Sequence, residues 1–202
     1  MTTIPPVVMG ITGASGAPYA VRLLQALTAA HRPVSLIVSK YGLRLLATES
    51  GIGSIDALRD AVGIDAWASY VEVFSNDDRG APPASGSART AGMVICPCSM
   101  GTLSAIAVGA SRSLIERAAD VTLKEGRKLV LVPRETPLSA IHLGNMLRLV
   151  RAGAIVMPAA PGFYHRPKEI SDLVDFVVAR ILDQLGVEQT MVARWKGDQT
   201  TN

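Results

Sequence analysis

Apolar residues along this chain come in short bursts, separated by stretches in which they recur every three or four positions. The bursts are Val7–Met9 between Pro6 and Gly10, then Val34–Val38, Tyr70–Phe74, Met93–Cys96, Leu129–Val132 and Ala154–Met157. Too short for helices and mostly apolar throughout, they predict strands buried on both faces, the pattern of a parallel sheet. The last three run into prolines at 97, 133 and 158, read as strand ends. The periodic stretches predict helices. One leaves at Ala17 and carries Ala20, Leu23, Leu24 and Leu27; the next carries Leu43, Leu46 and Ala47, with Glu49 near its end and Gly51 as its stop. Further helical segments fall within 51–70, at 101–125 with a break at 109–113, at 137–151 and at 169–185. Thr136 is expected to cap the 137–151 helix with Pro137 in its first position, and Gly186 to close the last helix.

Strands alternating with helices imply an α/β fold: a doubly wound, mostly parallel sheet of Rossmann-like or flavodoxin-like layout. Residues 1–186 are expected to form one domain, and 187–202 a polar C-terminal tail holding Arg194 and Trp195. The 202 residues are 49% hydrophobic, with mean hydropathy +0.29, a surplus that points to subunit interfaces and a homo-oligomer. No apolar run approaches the ~20 residues of a membrane span, and the opening MTTIPP has no basic-then-apolar signal pattern. No membrane role is expected. Twenty Lys and Arg against seventeen Asp and Glu leave +3, scattered, which argues against a nucleic-acid partner. Cys96 and Cys98 are too close for an ordinary disulfide and too few for zinc; they are expected to be packing residues in a reducing cytoplasm. His31, His142 and His165 lack metal-ligand spacing, so no metal is expected.

The candidate chemistry starts at the first turn. Glycines at 10, 13 and 16 follow a strand and precede a helix, the layout of a nucleotide or anion site with free N–H groups facing the ligand. The same residues also suit a tight turn capped by Ser15. Ligands of open α/β sheets bind beyond the carboxyl ends of the strands. Here those ends are Thr12–Gly16, Ser39-Lys40, Cys98–Thr102, Arg134–Thr136 and Ala159–Arg166, rich in groups that hold phosphate and polar ring edges. The polar loop from Ser75 to Thr90 is long for a compact domain and is expected to be functional. Arg117, Asp120 and Lys124 share one helix face, which by itself suits a salt-bridged solvent face; Arg180, at the edge of the last apolar stripe, by itself suits a snorkelling side chain.

Seven stretches carry a resemblance to a known family: Gly13-Ala-Ser-Gly16, Ser39-Lys40, Ala81-Pro-Pro-Ala-Ser-Gly-Ser87, Cys96-Pro-Cys-Ser-Met-Gly-Thr-Leu-Ser104, Arg117-Ala-Ala-Asp-Val-Thr-Leu-Lys-Glu125, Val132-Pro-Arg-Glu-Thr-Pro-Leu138 and Pro158-Ala-Ala-Pro-Gly-Phe-Tyr-His165. In family order and over nearly the whole chain, they resemble the flavin prenyltransferases (UbiX family). The resemblance implies a metal-independent transferase that joins a dimethylallyl group from dimethylallyl monophosphate to N5 and C6 of reduced FMN. The prenylated FMN passes to a client decarboxylase, in ubiquinone biosynthesis. It also implies a homo-dodecamer with active sites near subunit boundaries. The flavin-containing cysteine decarboxylases are similar in fold. They carry a catalytic His and an Asn motif after Pro-Ala-Ser, whereas Pro83-Ala84-Ser85 here continues Gly86-Ser87 and no His sits in the second helix region. The competing readings are an FMN-dependent decarboxylase or reductase and a non-enzymatic flavin carrier.

The resemblance also implies roles for residues. FMN would lie against Gly13, Ala14, Ser15, Ser39, Ser99, Met100, Gly101, Thr102 and Arg134. Arg117, Lys124, Arg134, Tyr164 and Arg180 would hold the donor phosphate, the last four converging on one spot. Ser15, Glu49, Lys124 and Glu135 would be catalytic, Glu49 as the acid/base group near flavin N5 and Glu135 as a proton source. For Ser39 a helix N-cap remains the alternative.

Overall fold

The computed structural model describes residues 4–192, so the segment with Arg194 and Trp195 lies outside the described residues. Among these, the strands are β1 (Val7–Ile11), β2 (Val34–Val38), β3 (Val71–Phe74), β4 (Gly92–Cys98), β5 (Leu129–Pro133) and β6 (Ile155–Val156). They pair in parallel in the order β3-β2-β1-β4-β5-β6. The helices are α1 (Ala17–Ala29), α2 (Lys40–Ser50), α3 (Ile55–Val62), α4 (Ile64–Tyr70), α5 (Met100–Ala107), α6 (Leu114–Lys124), α7 (Ala140–Arg151) and α8 (Ile170–Leu185). The doubly wound α/β expectation holds, and the order reverses between β1 and β4.

Strand alternation sorts the core onto the sheet's two faces. Met9 and Ile11 join Leu23, Leu24, Leu27, Val178 and Ile181 of α1 and α8 on one face. Val8 joins Leu103, Ile115, Ala118 and Leu149 of α5, α6 and α7 on the other. Gly10 belongs to β1 rather than to the turn: a Cβ there would meet the Ile115 side chain at 3.3 Å, so its bareness lets α6 approach the sheet.

Other boundaries move for local reasons. Pro97 does not end β4, which runs on to Cys98 through a register shift between Ile95 and Cys98. Thr136 does not cap a helix. The Thr136–Pro137 bond is cis, and α7 starts three residues later, at a capping box of Ser139 and His142. The segment beyond Gly186 does not leave the body at once, since Val187 is buried against the first core cluster.

The 75–90 loop replaces a crossover helix. It leaves β3 at the carboxyl edge of the sheet, where Asn76 accepts from the Leu114 and Ile115 amides at the start of α6. A 3-10 turn at Pro82–Ala84 then lies on α6. At the far edge Arg127 donates to the Gly86 and Ala88 carbonyls. Most of the loop is a strap along α6.

Candidate active site

At the reversal between β1 and β4 the crevice is tied together by one hydroxyl. Thr12 Oγ1 donates to the Pro97 carbonyl at 2.9 Å and accepts from the Ser99 amide at 2.7 Å, joining the turn after β1 to the turn after β4. A cavity of about 390 Å³ opens there, lined by Thr12, Gly13, Ser39, Tyr41, Asn76, Ser99, Gly101, Thr102, Arg112, Ser113, Ile115 and Glu116. Three helices begin at its wall. Ser39 caps α2 by accepting from Gly42, Ser99 caps α5 by accepting from Thr102, and Ser113 caps α6 by accepting from Glu116. Three positive helix ends face one crevice, a field that favours a negative group there.

The fourth N-terminus, that of α1, is closed. Glu49 Oε2 accepts from the Gly16 and Ala17 amides, each at 2.8 Å, so a carboxylate from the end of α2 fills the position expected for a ligand. Ser15 is not the cap; Gly16 holds that place at φ +124°, a conformation that favours glycine. Burial pushes the Glu49 carboxyl pKa up. The amide bonds from Gly16 and Ala17, the Ser15 hydroxyl and the Arg134 charge outweigh it and hold Glu49 below its ordinary value. Arg134 follows β5 and reaches across to the Ser15 carbonyl at 3.4 Å. Ser15, Glu49 and Arg134 thus form one cluster at the start of α1, two residues along the chain from Gly13 in the cavity wall. Gly13 is needed less for a ligand than for α2: a Cβ there would stand 2.5 Å from Tyr41 Cβ.

The remaining sequence-derived residues divide. Ala14 and Met100 are buried, Met100 within a core cluster, while Gly101 and Thr102 line the cavity. Glu135 is exposed and accepts from its neighbour Thr136. Of the five expected phosphate ligands, the four expected to converge do not all meet within one chain. Tyr164 packs edge-on against Phe176, and Arg180 lies one turn beyond Phe176 on α8, paired with Asp183 at 3.0 Å. Lys124 ends α6 beside Glu125 and the Gly86 region, at the edge where strands begin. The five-residue β5, roughly 16 Å long, separates that edge from Arg134. Arg117 pairs with Asp120 at 2.9 Å on the outer face of α6. For Arg117 and Lys124 the salt-bridged face describes the isolated chain.

Asn76, Arg112, Ser113 and Glu116 enter the site without having been singled out in the sequence, and Thr12 was named only as the start of a strand-end segment. Ser113-x-x-Glu116 before an apolar run is a legible capping signal; Thr12 and Asn76 carry none, because their partners are far away in sequence. Cys96 and Cys98 are fully buried, and burial raises both thiol pKa values, Cys98 to about 12, so they pack as neutral groups. Among the described residues no cluster of His, Cys, Asp or Glu could hold a metal, and no helix is long and apolar enough to cross a membrane.

With this geometry in place, similarity to known proteins becomes informative. The Flavoprotein family pattern matches residues 1–182. A protein named flavin prenyltransferase UbiX from Pseudomonas aeruginosa is 53% identical over 199 residues, covering 96% of this chain and 94% of its own. The crystal structure of AnUbiX (PadA1) in complex with FMN and dimethylallyl pyrophosphate superposes with a TM-score of 0.88 at 41% identity, over 96% of this chain and 99% of that one. A dodecameric FMN-dependent Ubix-like decarboxylase from Escherichia coli O157:H7 gives 0.85 at 44% identity, over 95% and 99%. The cysteine decarboxylase TvaF, 14% identical with a TM-score of 0.60, shares the fold alone. The chain belongs to the Flavoprotein family and, within it, to the UbiX flavin prenyltransferases.

Proposed function

We propose that this protein is a flavin prenyltransferase. It joins the dimethylallyl group of dimethylallyl monophosphate to N5 and C6 of reduced FMN and releases prenylated FMN for a client decarboxylase. The observation that carries this reading is the adjacency of two sites. A crevice faced by three helix N-termini takes the flavin phosphate, and next to it Ser15, Glu49 and Arg134 meet the ring. FMN lies against Gly13, Ala14, Ser15, Ser39, the Ser99–Thr102 turn and Arg134. It fits the residues present: the cavity offers hydroxyls and helix amides to the phosphate and aliphatic walls to the rest.

The flavin supplies the nucleophilic ring positions once reduced. The chain's own groups handle charge and protons. Glu49, held ionised, accepts a proton through the Ser15 hydroxyl rather than donating one. Arg134 binds the leaving phosphate, and Tyr164 and Arg180 are its further ligands. Glu135, exposed beside Arg134, supplies the proton that neutralises the leaving group. Lys124 comes from a second copy, since in its own chain it sits at the opposite sheet edge, and Arg117 joins the donor phosphate from the same α6 face. That makes the working form a homo-oligomer, a dodecamer as in the Escherichia coli relative, with active sites at subunit boundaries. The cytoplasm suits two cysteines kept as buried thiols.

The test is anaerobic incubation with reduced FMN and dimethylallyl monophosphate, followed by the flavin's mass. A five-carbon adduct is expected. Unchanged flavin with turnover of an unsaturated acid would assign a decarboxylase instead, and unchanged flavin with tight binding alone a carrier.

A further inference from the structure

One carboxylate in the anion crevice has the wrong sign for its surroundings. Glu116 is only 8% exposed and lines the same cavity as the three helix N-termini. A doubly charged phosphate entering there meets a buried like charge, which in a partly desolvated site is strongly repulsive. The chain offsets this locally. Arg112 sets its fork on Glu116, Nη2 to Oε1 at 3.1 Å and Nε to Oε2 at 3.3 Å, while the Arg112 backbone amide donates to Oε2 at 2.7 Å. Arg112 also lines the cavity, and its Nη1 makes no hydrogen bond among the described residues. Its side chain is 69% exposed, so the guanidinium lines the crevice where it opens to solvent.

We propose that Arg112 is the residue by which this crevice discriminates a phosphorylated flavin from an unphosphorylated one. It cancels the charge of Glu116 and turns its free Nη1 toward the incoming phosphate. The inference deepens the proposed function, resting on the reading that the crevice takes the flavin phosphate. Arg112 acts at the phosphate end, remote from the reacting ring, and so governs which flavin enters rather than how fast it reacts. Glu116 is kept because it holds Arg112 in place: from the first turn of α6 its carboxylate accepts the amide of Arg112, the residue just before the Ser113 cap, and the fork follows.

The experiment measures dissociation constants of FMN and riboflavin for the full chain, wild type against Arg112→Ala, Arg112→Lys and Glu116→Gln, at low and high salt. Arg112→Ala is expected to weaken FMN by roughly five- to thirty-fold while leaving riboflavin within about twofold, since only the phosphate feels the lost charge. The salt dependence of FMN binding falls with it. Arg112→Lys restores part of the preference. Glu116→Gln, which removes the opposing charge and keeps an acceptor for the Arg112 amide, tightens FMN several-fold without moving riboflavin. Equal weakening of both flavins in Arg112→Ala, or an unchanged preference, overturns the proposal. If neither flavin binds the wild type, the reading of the crevice as a flavin site falls, and the proposal with it.

Discussion

Glu49 and Ala17, thirty-two residues apart, meet at the start of α1, where the Glu49 carboxylate accepts the Ala17 amide at 2.8 Å and that of Gly16 at the same distance. A side chain from the end of one helix thereby becomes the cap of another, and the glycine-rich turn is folded around it. The group proposed for proton transfer is also a structural pin, and the amides it pins lower its pKa.

Replacing Glu49 by Gln separates the two duties. The amide still offers one oxygen to Gly16 and Ala17 but loses the charge that the helix end favours, at a cost of about 1 kcal/mol. FMN binding is expected to persist, and adduct formation to fall by roughly 10²–10⁴. Anaerobic single-turnover assays and denaturant midpoints check both. Wild-type turnover in the variant would remove Glu49 from the chemistry.

The pH dependence of stability follows from the same contact. The folded pKa of Glu49 lies below its unfolded value, so the contact contributes fully above the ordinary glutamate value of about 4.3 and is lost as pH falls through the lowered one. Wild type minus Glu49→Gln stability, followed by denaturation from pH 7 down to 3, should shrink only in that acid window. A difference that stays flat would mean the carboxylate is not held ionised.

Thr12 invites a matched pair of substitutions. Val keeps the shape and removes the hydroxyl, leaving the Ser99 amide without its acceptor, at about 1–3 kcal/mol for a buried donor. Thr12→Val should lower the melting temperature and weaken FMN by loosening the turn that carries Ser99 and Thr102. Thr12→Ser keeps the hydroxyl and should recover most of both. Equal effects from the two would point to the lost methyl instead.

How much of this was legible beforehand depends on the range of each contact. Strands with apolar bursts and helices with their own serine caps follow from neighbours within four residues, and β2 matches its expected span. Boundaries failed where a distant element decided them. Gly10 stays in β1 because Ile115 packs on it, and Pro97 stays in β4 because β1 and β5 hold that strand on both sides. In the site, Ser39 and Ser99 carried local signals as well as the resemblance. Glu49 reached the candidate list through the resemblance alone, since no local pattern places a helix-end carboxylate on another helix. Arg112 was missed, and Thr12 given no role beyond its strand-end segment, for the same reason: their value lies in what the sheet brings beside them.

Cys96 and Cys98 test whether buried thiols are inert here. Burial raises both pKa values, so at pH 8 neither presents an appreciable thiolate. Iodoacetamide should label the native protein at neither position over hours and label both promptly in denaturant, as read by mass. Rapid native labelling of either cysteine would contradict the packing role.

The origin of Lys124 relative to Arg134 can be settled by mixing subunits. Lys124 ends α6 at the edge where strands begin, Arg134 leaves β5 at the edge where strands end, and a strand of roughly 16 Å lies between them. A lysine side chain with its base fixed there cannot reach a phosphate held by Arg134 in the same chain. If a neighbouring copy supplies it, Lys124→Ala and Arg134→Ala homo-oligomers are each inactive, yet each carries the group the other lacks. Denatured together and refolded, they assort at random, and about a quarter of boundaries combine an intact Lys124 with an intact Arg134. Prenyl transfer at about that fraction of the wild-type rate is expected from the mixture, against none from either variant refolded alone. Activity that stays at zero, with light scattering showing mixed oligomers of normal size, would require both groups from one chain and exclude a shared site.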